Sequence, residues 1–149
     1  MALTAETLTV DPFGSWSRRV ARWLGPVIRS EPAGYSVKAV KEHVESGNWV
    51  LFEIRKTGRT TPVGYAVVSI TAFDDGTKHW IVRYAKGDAR GYSDLTCVVL
   101  PIFERMAVQT GCAAVEFWTD RAGLARKADR LGYACRHVLV KELGGGNVQ

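Results

Sequence analysis

The clearest pattern of hydrophobic and polar positions lies between Tyr92 and Leu143. Apolar residues recur there first at helical spacing, then in a short continuous run, then at helical spacing again, and last in an extended segment from Tyr133 onward. The pattern predicts helix, strand, helix, strand. Gly111 and Gly132 stand where left-handed helix ends favour glycine, and Pro101 predicts a kink inside the first helix. The apolar stripe of that helix consists of Leu95, Val98, Val99, Ile102, Phe103, Met106 and Ala107.

The N-terminal third predicts a strand followed by two helices. Leu3 to Val10 is the candidate strand. The first helix carries an apolar face around Trp23, and we expect Gly25-Pro26 to end or kink it. The second helix is expected to begin after a Ser36 cap and to close at Gly47.

The middle of the chain changes to extended periodicity. Strands are predicted from Trp49 to Arg55, from Val63 to Phe73 and from Lys78 to Ala85, joined by glycine-containing turns. Three such strands form an antiparallel meander. The whole order is therefore β-α-α-β-β-β-α-β-α-β, an α+β protein. It is expected to form one domain over residues 1–143, with a flexible tail over residues 144–149.

Composition is that of an ordinary globular protein, with 149 residues of which 46% are hydrophobic. No apolar run approaches the length of a membrane span, and the N-terminus lacks a signal-peptide pattern. The three cysteines, Cys97, Cys112 and Cys135, are an odd number at wide spacing. That favours free thiols in a reducing cytoplasmic compartment. Each cysteine falls inside a predicted apolar element, and Cys135 is expected to be buried rather than a nucleophile. No histidine has metal-ligand spacing, so no metal site is predicted.

A formal net charge of +5 favours anionic partners. Arg126, Lys127 and Arg130 share one face of the last predicted helix. They form either a basic patch for nucleic acid or an acidic partner, or a solvated helix face, which is the commoner case. Because no aromatic-rich groove accompanies them, nucleic acid is not the expected partner.

The segment from Lys86 to Tyr92 joins the third meander strand to the long helix. It contains Gly87, Gly91 and Arg90, just ahead of a helix N-terminus, where free N–H groups attract an anion. The functional interpretation is a phosphate cradle. The alternative is a glycine turn whose charges face water, which the residues alone favour.

Two carboxylates, Glu53 and Glu116, fall inside apolar strands. Strand alternation can place each on an exposed face, which is the commoner explanation. Alternatively, one of them points into a cleft as a general base.

The element order and the residues of the last third together resemble the GNAT superfamily of acyl-CoA N-acyltransferases, and more narrowly the GNAT-like proteins of tailed bacteriophages. The run that carries the resemblance is Gly111-Cys112, Phe117, Arg121, Arg130-Leu131-Gly132-Tyr133 and Lys141-Glu142-Leu143. The resemblance implies a mostly antiparallel central sheet, flanked by helices. It also implies that the sheet is splayed between the third meander strand and the strand from Cys112 to Trp118.

The resemblance further implies acetyl-CoA as a cofactor, with pantetheine in the splay and pyrophosphate on amides at the start of the long helix. A backbone amide between Lys78 and Ala85 would hold the oxyanion formed on the thioester carbonyl. The candidate proton carriers are Glu53, Glu116 and Tyr84. The implied cofactor-binding residues are Arg83, Tyr84, Ala85, Lys86, Gly87, Arg90, Gly91, Tyr92 and Ser93, with Lys86 and Arg90 as phosphate contacts.

Two hallmarks of the family's chemistry are altered in this chain. Arg90-Gly91 is retained, but Tyr92 to Leu95 replaces the small residues that let phosphates approach the backbone, and Asp94 adds a negative charge there. The family's general-acid tyrosine corresponds to Ala128. These departures leave two hypotheses. One is an acetyl-CoA-dependent N-acetyltransferase in a bacterial host cytoplasm.

The other hypothesis is a non-catalytic phage protein that uses the scaffold to bind a protein partner, as a virion or assembly component or as a host-factor binder. Its candidate contacts are Trp16, Trp23, Arg18, Arg19 and Arg22.

Overall fold

The computed structural model describes residues 7–31, 34–88, 95–119 and 122–136, together with 139, 141, 143 and 144. It has the mixed α+β architecture predicted from the sequence. The chain divides into two compact units, Met1–Trp118 and Thr119–Gln149. The elements are β1 (Leu8–Pro12), α1 (Arg18–Arg29), α2 (Val37–Glu45), β2 (Val50–Lys56), β3 (Pro62–Ala72), β4 (Lys78–Gly87), α3 (Leu95–Gln109), β5 (Ala114–Phe117) and α4 (Ala122–Arg130).

The first unit is built on a five-stranded sheet in the order β1-β2-β3-β4-β5. The first four strands pair antiparallel, as the predicted meander requires, and β1 joins its free edge. β5 pairs parallel to β4, from His79 opposite Ala114 to Val82 opposite Phe117. The parallel pairing follows from α3, which crosses over the sheet between the two strands.

Hydrophobic residues cover both faces of this sheet, because neighbouring residues of a strand point to opposite faces. On β3, Ala66 and Val68 belong to one cluster and Tyr65 and Val67 to another. The first cluster packs against α3, which contributes Val99, Ile102, Phe103 and Ala107. The second packs against α1 and α2, which contribute Val20, Leu24, Ile28, Val40 and Val44.

α1 does not end at Gly25-Pro26, as one reading of the sequence expected. It runs on to Arg29 with Pro26 inside it. The proline removes one helical hydrogen bond, but Leu24 and Ile28 on either side of it are 0% and 1% exposed. Burial of this apolar face therefore outweighs the local preference to stop. α2 behaves as predicted, with Ser36 as its N-cap and Gly47 in the left-handed region at φ +84°.

In the second unit, α4 ends as predicted at Gly132, whose φ is +91°. The closing strand predicted from Tyr133 to Leu143 is not found in its described part, because residues 133–136 have no regular structure. Residues 137, 138, 140 and 142 lie outside the described ranges. Cys135 is exposed, and the prediction that it is buried was wrong. Its burial depended on the side-chain alternation of a strand, which residues 133–136 do not form.

Phe103 is the central contact between α3 and the sheet. It is 1% exposed, and its ring lies 5.3 Å from that of Phe52 and 5.6 Å from that of Trp80. Phe103→Ala is expected to lower the free energy of unfolding by about 3–5 kcal/mol, because it leaves a cavity between two aromatic rings. Urea denaturation measures the change. Val108→Ala on the same helix, at a side chain that is 76% exposed, is the control and should change stability by less than about 0.5 kcal/mol. Equal effects of the two variants would contradict this packing.

Candidate functional site

A β-bulge in β4 sets the geometry of the candidate site. Val67 pairs with Tyr84 and Val68 pairs with Val82, so Arg83 is an extra residue in β4. A bulge bends its strand and re-aims the following side chain. Trp80 and Val82 pack in the α3 cluster, whereas Tyr84 packs in the α1/α2 cluster. The bulge thus moves Tyr84 to the face that carries α1 and α2.

Tyr84 is held firmly on that face. It is 5% exposed, its hydroxyl is hydrogen-bonded to the Glu31 carboxyl, and the backbone N–H of Tyr35 donates to its oxygen. Burial, followed by the hydrogen bond and the negative charge of Glu31, raises the pKa of Tyr84 well above its ordinary value of 10.0. Tyr84 therefore keeps its proton at neutral pH, and it can donate a hydrogen bond but cannot serve as a base.

An aromatic cluster continues from Tyr84 along the same face. The Tyr35 ring meets the Trp49 ring edge-on at 5.0 Å, and the His43 ring stacks on Trp49 at 4.1 Å. The Arg83 guanidinium lies 4.6 Å from the Trp49 ring centroid, a cation–π contact. Its Nε also donates to Ser69 Oγ at 2.8 Å. Arg83, predicted to contact the cofactor, is thus engaged on the α1/α2 face.

Glu53 is committed to neighbouring side chains. Arg55 Nε lies 3.1 Å from Glu53 Oε1, and the Tyr65 hydroxyl donates to Glu53 Oε2 at 3.4 Å. Arg19 also hydrogen-bonds Tyr65, whose pKa is raised by burial and then by the Glu53 charge. Both oxygens of Glu53 are occupied, and the group is poorly suited to accept a proton.

Glu116 has a different setting. Its Oε2 lies 2.8 Å from Nδ1 of His79, and the two side chains are 33% and 23% exposed. Glu116 lies opposite Ile81 in the parallel pair. Ile81 and His79 are two residues apart in β4, so their side chains point to the same face of the sheet. A partly exposed carboxylate joined to an imidazole can take up a proton and pass it to water. The sequence gives His79 no metal-ligand spacing, and nothing in the sequence places it beside β5.

The C-terminal end of β4 is the strand edge at which the cofactor is predicted to bind. Pairing with β5 stops at Val82, and β4 continues through Gly87 with no β5 partner among the described residues. Ala85 and Lys86 are exposed there. Gly87 leaves room for α3, since an added Cβ would lie 2.6 Å from Leu95 Cδ2. The other predicted cofactor residues, Arg90, Gly91, Tyr92 and Ser93, lie outside the described ranges.

An open pocket of about 360 Å³ lies at the turn between β2 and β3, on the β3 side of the end of β4. It is therefore separate from the β4 edge that faces β5. Its lining residues are Lys56, Arg59, Thr60, Thr61, Pro62, Val63 and Asp88.

The remaining predicted features concern α4, metals and membranes. Ala128, the residue in place of the family tyrosine, is 5% exposed in α4, and its carbonyl accepts hydrogen bonds from the N–H groups of Leu131 and Tyr133. In the part of the chain that the structure covers, no group of His, Cys, Asp or Glu is arranged to hold a metal ion. Among those same residues, no helix has the length and apolarity needed to cross a membrane.

Comparison with known proteins supports the fold. No family model matches the sequence, and no curated protein matches it either. The structure is similar to an aminoglycoside acetyltransferase from an uncultured soil metagenomic sample, in complex with sisomicin (TM-score 0.67, 9% identity, 93% of this chain and 95% of that chain). It is also similar to glucosamine-6-phosphate N-acetyltransferase from Arabidopsis thaliana (0.63, 12%, 93% and 99%). A third similar structure is a GNAT family acetyltransferase of Staphylococcus aureus (0.59, 11%, 92% and 99%).

The fold is therefore that of GNAT acetyltransferases, as the sequence resemblance implied. At these identities the likeness concerns the fold and not the reaction.

Glu31 was missed by reasoning from sequence. It stands in the loop Glu31-Pro32-Ala33-Gly34, which carries ordinary turn residues and no catalytic spacing. Only the approach of this loop to the re-aimed Tyr84 brings the carboxylate into the site.

The raised pKa of Tyr84 predicts an alkaline loss of stability. A group whose pKa is raised by folding stabilises the native state below its unfolded pKa and loses that contribution as pH rises above it. We expect wild type to lose stability above pH 10.0, the ordinary tyrosine value, more steeply than Tyr84→Phe. Denaturant unfolding of both proteins at about pH 8 and about pH 11 measures the difference. Tyr65 is present in both proteins, so its contribution to the loss of stability cancels in the comparison. Equal losses of stability in the two proteins would contradict the burial of a protonated Tyr84.

Proposed function

We propose that this protein is an acetyl-CoA-dependent N-acyltransferase that acts on an amine. The observation that carries the proposal is the bulge at Arg83, in the strand whose parallel pairing with β5 stops at Val82. In a fold shared with acetyltransferases, this is the place where a strand edge opens and where backbone N–H groups leave the regular ladder. The proposed site of action is the cytoplasm.

The end of β4 suits the cofactor. Pantetheine is an extended chain with two amide groups, and an unpaired strand edge binds such a chain through main-chain hydrogen bonds. Val82 to Gly87 is the segment we assign to it. Exposed Lys86, with Arg90, Gly91, Tyr92 and Ser93 before α3, is the proposed contact surface for the phosphates. When bound, acetyl-CoA supplies the thioester carbonyl that the amine attacks.

The chain's own residues would then stabilise charge and carry the proton. A main-chain N–H at the Arg83 bulge would stabilise negative charge on the thioester carbonyl oxygen. The new C–N bond would form as the C–S bond of the thioester breaks. Glu116, with His79, would take the proton of the attacking amine, and the released CoA thiolate would take a proton from water because Ala128 replaces the family's tyrosine. Glu53 is less suited because its oxygens are already engaged. Tyr84 holds its proton and positions the site without acting as a base.

The cofactor part of the proposal predicts acetyl-CoA binding. Isothermal titration of wild type should give a dissociation constant in the micromolar range, roughly -8 kcal/mol. Arg90→Ala should weaken binding about tenfold, because it removes a phosphate contact. Arg105→Ala, at an exposed position of α3, is the matched control and should leave affinity unchanged. An absence of heat and of thermal stabilisation in wild type would overturn the enzyme proposal.

The proton-transfer part predicts different outcomes for the two strand carboxylates. Glu116→Gln should lower kcat/KM by about 10²-fold, because it removes the base. Glu53→Gln should change kcat/KM only by about threefold or less, since that side chain has a structural role. Circular dichroism verifies that both variants fold. The reverse ranking of the two variants would assign the base to Glu53.

The non-catalytic alternative is favoured by one observation. α1 carries Arg18, Arg19 and Arg22 on its exposed surface and no acidic residue in its first turn. A phage protein that binds an acidic partner through this helix would not need an intact phosphate loop. Co-purification that depends on these arginines, together with failure to bind acetyl-CoA, would support this function in place of the first.

A further inference from the structure

The carboxylate of Glu31 contains an unused hydrogen-bond acceptor. Its Oε2 atom is buried and has no hydrogen-bond partner among the described residues. Gly34 packs closely against it, since a Cβ added at Gly34 would lie 2.6 Å from this oxygen. A buried carboxylate oxygen is normally hydrogen-bonded, and one that lacks a donor is a candidate ligand-binding atom.

The surroundings of this oxygen suit an organic cation. The Tyr84 hydroxyl bonds the same carboxyl group, and Tyr35 bonds Tyr84 through its backbone N–H. The Tyr35 ring packs edge-on against the Trp49 ring at 5.0 Å. A buried carboxylate oxygen that lacks a donor is stabilised by an ammonium group, which brings both a positive charge and N–H donors. Arg83, the cation on the neighbouring strand position, is held by Ser69 and Trp49.

Tyr84 connects this carboxylate to the strand where transfer is proposed. Its backbone follows the bulge at Arg83, and its hydroxyl reaches Glu31. An acceptor whose reactive amine lies at the bulge can therefore place a second polar group at Glu31. The amine and this second group would be separated by about the length of a tyrosine side chain. Because Glu31 as a residue is only half-buried, rotation of its side chain gives a ligand access to Oε2.

We infer that Glu31 is a specificity-determining residue that binds a second, non-reacting ammonium group of the acceptor. The acceptor class is an aliphatic diamine or a similar polyamine. This inference rests on the proposed N-acyltransferase function for the identity of the reacting end. The binding of the second ammonium depends only on the Glu31 carboxylate.

The test compares 1,4-diaminobutane with n-butylamine, which has the same carbon chain and one amine fewer. Isothermal titration without acetyl-CoA should show the diamine binding wild type at least about tenfold more tightly than the monoamine. Glu31→Gln should abolish this preference because it removes the negative charge. Glu45→Gln, at an exposed carboxylate of α2, is the matched control and should retain it. Equal affinities for the two amines in wild type, or a preference that survives in Glu31→Gln, would overturn the inference.

A second variant covers the case in which Glu31→Gln does not fold. Gly34→Ala places a methyl group where the carboxylate lies and should displace it, with the same loss of preference. A Gly34→Ala protein that folds by circular dichroism and still prefers the diamine would contradict the inference.

A kinetic arm separates this inference from the proposed function. With acetyl-CoA present, Glu31→Gln should lower kcat/KM for the diamine about tenfold and leave kcat/KM for n-butylamine unchanged. If wild type neither binds acetyl-CoA nor acetylates either amine, the proposed function falls. The titration without cofactor then still decides whether Glu31 binds the diamine.

Discussion

The structure depends on one irregularity in its sheet, the extra residue at Arg83 in β4. Regular alternation would send Tyr84 to the same face as Trp80 and Val82, against α3. The bulge sends it instead into the cluster formed by α1 and α2. Because a bulge costs ladder hydrogen bonds, it persists only where surrounding contacts compensate for it. Here Ser69 and Trp49 bind the Arg83 side chain, and Glu31 and Tyr35 bind the Tyr84 hydroxyl.

The two faces of the sheet have different roles as a result. The α3 face is a closed apolar core centred on Phe52, Trp80 and Phe103. The other face is apolar where α1 and α2 cover it, and polar further along β4 and β5, where His79 pairs with Glu116. One face therefore supplies stability, while the other presents charged and aromatic groups beside the strand edge proposed for the cofactor.

The unpaired polar atoms differ between the faces in the same way. Trp80 Nε1 is buried in the α3 cluster, surrounded by apolar rings, and has no hydrogen-bond partner among the residues that the structure describes. A lone donor in such a place costs about 1–3 kcal/mol and offers a ligand nothing further. Glu31 Oε2 is also without a described partner, but it lies beside a tyrosine hydroxyl and at a loop. Its surroundings, and not its burial alone, make it a candidate binding group.

The sequence by itself determined the order of the elements from β1 to α4. Periodicity of 2 and of 3.6 residues reports which face of an element is buried, and Ser36, Gly47, Gly111 and Gly132 mark helix ends by local chemistry. These are local properties, so a linear pattern contains them. Where tertiary packing opposed the local signal, the helix stop that Gly25-Pro26 allowed did not occur: α1 passes through Pro26 because Leu24 and Ile28 on either side of it are buried.

The candidate site was decided by the tertiary structure. The sequence marked Glu53 and Glu116 as equivalent carboxylates in strands. Only strand pairing shows that one is occupied by Arg55 and Tyr65 and that the other meets His79. Glu31 and Tyr84 are far apart in the chain and share no sequence spacing that would connect them. Their contact depends on a bulge and on the path of a loop, and neither has a periodic signature, since both are set by contacts between distant segments.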